Sequence, residues 1–225
     1  MSRTPQSING VAATFVERLV QVDGVGIRYL EAGQGSPVVV LHGAEGLTQP
    51  PLLTLLAQHF QVIALEIPAF GRLPVEGRSS SMRNVAHTLA RAATAAGIDH
   101  YVLVSTTDSA PFALWQAIEA TEGVDALVLL SPTASGFTSD PELERRLGEM
   151  QTPTLILIGT NDTTIPPETG CLYVERMPNC YYTLVYDAGQ AIAAERPEAL
   201  LAAVCDFVER RGAFIVERNS TAVNP

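Results

Sequence analysis

Six side chains able to do chemistry fall just where apolar runs end. His42 and Glu45 follow Pro37–Leu41, Thr107 and Asp108 follow Tyr101–Val104, Asp162 follows Thr154–Ile158, and Gln190 follows Tyr182–Val185. A carboxylate serves as a general acid or base, and a hydroxyl is a nucleophile only when a base takes its proton. An amide such as Gln190 donates and accepts hydrogen bonds but takes no proton at neutral pH. Histidine is the usual base, yet the four histidines (His42, His59, His87 and His100) all lie in the first hundred residues. All fourteen basic residues are arginine, which removes Schiff-base chemistry, pyridoxal aldimines and the P-loop lysine. The three cysteines, Cys171, Cys180 and Cys205, show no CxxC spacing. Neither zinc nor a disulfide framework is implied, and they read as small buried hydrophobes. No metal and no cofactor is expected.

The elements that must position these groups are legible in the same rows. The chain has 225 residues, 47% hydrophobic and 17% charged, a composition that folds around one core. Residues 14–211 read as one domain, with tails at 1–13 and 212–225. Glu17–Val22 and Gly26–Glu31 form a hairpin around Asp23-Gly24. Pro37–Leu41, Gln61–Leu65, Tyr101–Val104, Ala126–Leu130, Thr154–Ile158 and Tyr182–Val185 are continuous apolar runs, as expected of strands buried on both faces of a parallel sheet. Between them Met82, Val85, Leu89, Ala92 and Ala96 keep helical spacing up to Gly97. Ser109–Ala120 is a further helix, and Leu200, Val204 and Phe207 mark one that starts at Pro197. Strands alternating with helices give a doubly wound α/β sheet, whose ligands bind beyond the carboxyl ends of the strands. Those ends carry the six side chains.

Charge narrows the partners. Twenty-four acidic residues against fourteen arginines give a net charge of −10, which excludes nucleic acid and anionic membrane surfaces. No apolar run reaches the ~20 residues of a membrane span, and no charged-then-apolar leader opens the chain. A cytoplasmic address is the expectation.

The loops also resemble those of the α/β-hydrolase family, from Val22 to about Arg210. VDGVGIRYLEAGQGSPVVVLHGAEG is similar to the family's opening hairpin, third strand and oxyanion loop, here His42-Gly43-Ala44-Glu45-Gly46. FQVIALEIPAFGR resembles its next strand and turn, with Glu66 where an Asp is usual. GIDHYVLVSTTDSAPFALWQAIEATEGVDALVLLSP resembles the strand–elbow–helix–strand unit, TPTLILIGTNDTTIP the strand bearing the triad acid, and YDAGQAIAAERPEAL the segment around the catalytic His. The resemblance implies a mostly parallel eight-stranded sheet. It puts the acid at Asp162 and gives His42 a loop-orienting role. The family's Gly-x-Ser-x-Gly elbow is Ser105-Thr106-Thr107-Asp108-Ser109 here, so Thr107 takes the nucleophile position. Gln190 takes the His position, fixed by Gly189 before it and Glu195-Arg196-Pro197-Glu198 after it.

These replacements set the expected function. A general base is worth roughly 10²–10⁴ in rate. A carboxylate of Glu45 or Asp108 lying ~4 Å from a developing oxyanion would repel it by about 4 kcal/mol at an effective dielectric of 20. One oxyanion donor supplies only about 3–4 kcal/mol. A β-branched Thr107 also suits a left-handed elbow poorly. Asp108 reads as a cap of the following helix; as an aspartate nucleophile, as in the dehalogenase branch, it needs a one-residue slip. Asp162 reads as a turn residue. Between Pro132 and Thr152 there is room for one short helix, Pro141–Glu149, and no substantial cap domain, so a second copy of the chain is expected over the cleft. The favoured reading is a non-hydrolytic pseudoenzyme or binder of a small neutral or cationic ligand. Open alternatives are an isomerase, cyclase or lyase using Glu45, Asp108 or Asp162 as its base, and a hydrolase of non-standard mechanism.

Overall fold

The computed structural model describes residues 13–41, 50–68 and 81–216. Strands β1 (Val16–Val22) and β2 (Val25–Ala32) pair through Asp23-Gly24, whose φ values of 52° and 82° are the left-handed pair that a two-residue hairpin requires. The chain then alternates: β3 (Pro37–Leu41), α1 (Pro51–Leu56), β4 (Gln61–Leu65), α2 (Met82–Ala95), β5 (Tyr101–Thr106), α3 (Ala110–Glu119) and β6 (Val124–Leu130). Helices α4 (Ser135–Thr138) and α5 (Pro141–Arg146) lead to β7 (Thr154–Gly159). Helix α6 (Glu168–Arg176), β8 (Cys180–Val185), α7 (Ile192–Glu195) and α8 (Pro197–Val216) complete the chain. The eight strands form one sheet in the order β1-β2-β4-β3-β5-β6-β7-β8. Strand β2 is antiparallel to β1 and β4, and all other pairs are parallel.

The central strands are buried on both faces, which is why they read as unbroken apolar runs. Val39, Leu41 and Leu103 face one core with Val85 and Leu89 of α2 and Trp115 of α3. Val38, Val40, Val102 and Val104 face the other with Leu53 and Leu56 of α1 and Leu200, Val204 and Phe207 of α8. Helix α2 starts at Ser81, whose hydroxyl accepts the Asn84 N–H, and Gly97 (φ 86°) follows its end. Only short helices separate β6 from β7, and no large cap is inserted there.

Several boundaries move. Strand β5 runs on to Thr106, and β8 begins at Cys180. Helix α8 continues to Val216, five residues into the stretch read as a C-terminal tail, and α4 adds a turn not foreseen before α5. Cys180 is buried, but Cys171 is exposed and Cys205 half-buried, so the buried reading fails for two of the three. Both lie on amphipathic helices, where a small residue is tolerated outside the core. Among the described residues, no helix is long and apolar enough to cross a membrane.

Candidate functional site

The chain leaves β3 toward β4 on one side and crosses back to β5 on the other, so the carboxyl ends of β3 and β5 flank the topological switch point. A single 3₁₀ turn, Thr107–Ser109, joins β5 to α3. Thr107 has φ 23°, left-handed backbone that costs a non-glycine residue about 1–3 kcal/mol. The β-branched residue adopts the conformation nonetheless, because its flanks are locked. Fully buried Ser109 places its Oγ 2.8 Å from Ser105 Oγ, and 3.0 Å from the Leu41 carbonyl at the end of β3. It also accepts the Thr106 N–H at 3.1 Å. The two small hydroxyl residues thus pin the elbow across the crevice.

Asp108 is exposed and forms no hydrogen bond among the described residues. No side chain caps α3; Thr106 and Ser109 cap the 3₁₀ turn before it, each side chain accepting the other's backbone N–H. The left-handed residue is Thr107, not Asp108.

Two strands over, β7 ends in a tight turn. Asp162 Oδ1 accepts the N–H groups of Thr164 (2.9 Å) and Ile165 (2.8 Å), the turn role read from the sequence. Its buried Oδ2 has no partner among the described residues. The loop carrying Gln190 is clamped against this turn. The Asn161 N–H donates to the Ala188 carbonyl at 2.8 Å and the Asp187 N–H to Thr160 Oγ1 at 3.1 Å, while the Gly189 N–H ties the loop to α7 through Glu195 Oε2 at 2.6 Å. Gly159 permits the approach, since a Cβ there would stand 2.2 Å from the Ala188 carbonyl oxygen and 2.4 Å from that of Gly189. Gln190 itself is exposed.

His42, Gly43, Ala44 and Glu45 lie outside the described residues. The other three histidines are far from the elbow. His100 precedes β5, whose six residues put it about 20 Å from Thr107. His87 pairs with Glu119 at 2.5 Å, at the far end of α3. Exposed His59 precedes β4. Glu66 at the end of β4 is buried and takes two 2.8 Å hydrogen bonds from Arg28, an ion pair across β2 and β4. One residue went unnoticed in the sequence: Ser131, directly after β6, buried, with φ 43° and a hydroxyl that has no partner among the described residues. Its only sequence signal is its place at the end of an apolar run. The described groups can hydrogen-bond a ligand through Thr107 and Gln190 and accept from it through Asp162.

No family model matches the sequence. Among solved structures, a predicted CIB-like hydrolase from Thermoplasma acidophilum superposes with a TM-score of 0.73 at 16% identity, covering 88% of this chain and 99% of that one. The chain has the α/β-hydrolase fold. Naproxen esterase from Bacillus subtilis shares that fold (TM-score 0.74, 14% identity, 87% of this chain and 92% of that one). So does a serine hydrolase involved in carbazole degradation (TM-score 0.73, 21% identity, 87% and 99%). By sequence, 65 residues are 38% identical to the 2-hydroxy-6-oxo-6-(2'-aminophenyl)hexa-2,4-dienoic acid hydrolase of Metapseudomonas resinovorans, spanning 27% of this chain but only 22% of that protein. Protein ABHD14A of Danio rerio is 26% identical over 92% of this chain and 76% of its own length.

Proposed function

We propose that the chain uses the α/β-hydrolase fold to bind a small neutral or cationic molecule at the ends of β3, β5 and β7, without hydrolysing it. One observation carries the reading: the loop clamped against the Asp162 turn ends in Gln190, and no histidine follows residue 100. Thr107 then has no base to take its proton from that side, and losing a base removes roughly 10²–10⁴ in rate. A hydroxyl and an amide still hydrogen-bond a ligand, and the open Asp162 carboxylate oxygen favours donors over anions. Calorimetry on matched pairs tests this. Amines, phenols or polyols should bind more tightly than carboxylates of equal size, with Thr107→Ala or Gln190→Ala weakening them. A consistent preference for carboxylates overturns it, and would favour the chemistry of the relative whose name specifies a dienoic acid.

A second reading rests on the same Asp162 oxygen. A buried carboxylate with one open acceptor atom is equipped as a general base for an isomerisation, cyclisation or lyase step. Solvent deuterium incorporation into a bound ligand, abolished by Asp162→Asn, would select this reading over the first.

A further inference from the structure

Four non-glycine residues of the described chain have left-handed φ: Asp23, Thr107, Ser131 and Asp187. Asp23 and Asp187 sit in turns after strands, where aspartate tolerates this backbone. Thr107 and Ser131 are different, and they are neighbours. The register sets Thr106 opposite Leu130, so the next residues leave β5 and β6 side by side, about 4.8 Å apart. The Ser131 N–H donates to the Leu157 carbonyl at 2.8 Å, which holds it against β7, the strand whose following turn carries Asp162.

Ser131 is 1% exposed and Asp162 6%, yet Ser131 Oγ and Asp162 Oδ2 have no hydrogen-bond partner among the described residues. Buried polar atoms are almost always paired, and both strain and open polar atoms collect where a ligand completes the arrangement. The ends of the consecutive strands β5, β6 and β7 therefore carry Thr107, Ser131 and, in the turn three residues past β7, Asp162.

We infer that Ser131 is a ligand-binding residue that acts with Asp162 to select molecules bearing two polar groups on adjacent carbons, at least one of them a hydrogen-bond donor. The inference rests on the binding reading above and names its ligand class: vicinal diols and amino alcohols. Asp162 Oδ2 only accepts, so one ligand group must donate. Ser131 Oγ donates or accepts, so the second group is a hydroxyl or an amine. A lone hydroxyl satisfies one of the two atoms and leaves the other open.

Calorimetry with catechol against phenol, and 2-aminocyclohexanol against cyclohexylamine, reads the effect. The wild type should prefer the two-group member of each pair by about tenfold, the worth of roughly one net hydrogen bond. Ser131→Ala should erase that preference, because it removes the hydrogen bond that the second group makes. Ser131→Gly removes the same hydroxyl and relieves the left-handed backbone, so it serves if the alanine variant does not fold. Equal binding of the pair members by wild type, or a preference that survives both Ser131 variants, overturns the inference and leaves the binding reading standing. Failure of every probe to bind, or turnover of p-nitrophenyl acetate, removes the binding reading and this inference with it.

Discussion

Replacing Thr107 with glycine should stabilise the protein. At φ 23° a non-glycine residue carries about 1–3 kcal/mol of strain that glycine does not. Against this, glycine adds conformational freedom to the unfolded chain, worth about 0.4–1 kcal/mol. The threonine side chain returns little, because it is half-buried and forms no hydrogen bond among the described residues. The balance is a gain of about 0.5–2 kcal/mol, which for a chain of this size raises Tm by a few degrees, at roughly 2–4 °C per kcal/mol. Scanning calorimetry reads the shift, and urea melts with an unchanged m-value confirm that the native state gained. Such a gain would mean that Thr107 is retained for what it contacts in the crevice, and the glycine variant should bind ligand more weakly. If Tm instead falls by more than about 2 °C, the threonine side chain is itself a stabilising group, and the argument from strain to function fails.

Gly159→Ala should destabilise by about 1–3 kcal/mol and displace the Gln190 loop, since its Cβ would meet two carbonyl oxygens inside 2.5 Å; an unchanged melt would contradict the close approach. Fluorophosphonate probes should not label the wild type. Thr107→Ser alone should stay inactive on p-nitrophenyl acetate, while Thr107→Ser with Gln190→His gains activity opposite Asp162. Equal activity of the single and double variants would reveal another base, with His42 the first candidate to remove. Stability should also fall on acidification through Glu119. Burial pushes this carboxyl up, but hydrogen bonds from Arg83 (3.0 Å) and Arg146 (2.6 Å) outweigh it and hold it below its ordinary value near 4.5. A carboxyl lowered by folding stabilises above its unfolded pKa and loses that contribution as pH drops through the folded one. Melts from pH 7 to 3 should show a loss below about pH 4.5 that Glu119→Gln flattens; identical profiles would refute the coupling.

What the sequence determined by itself is the part that local pattern encodes. Apolar runs such as Pro37–Leu41 and Thr154–Ile158 are strands because burial on both faces demands unbroken hydrophobicity, and Asp23-Gly24 makes a hairpin because both residues accept left-handed backbone. The residue types at the strand ends were equally plain: a threonine, an aspartate and a glutamine, with no histidine after residue 100. Tertiary structure decided which of them are neighbours and which are spent on the fold. Ser109 reaches Leu41 across 68 positions, and Asp162 commits one oxygen to its turn while the other has no partner among the described residues. Asp108, which looks like a helix cap, stands exposed, and Thr106 and Ser109 cap only the 3₁₀ turn before α3. Ser131 stands beside Thr107 only because β5 and β6 pair in one register, and register is a relation between segments that no single segment contains. Apolar periodicity specifies a strand's faces. The chemistry at its end depends on which strand lies alongside.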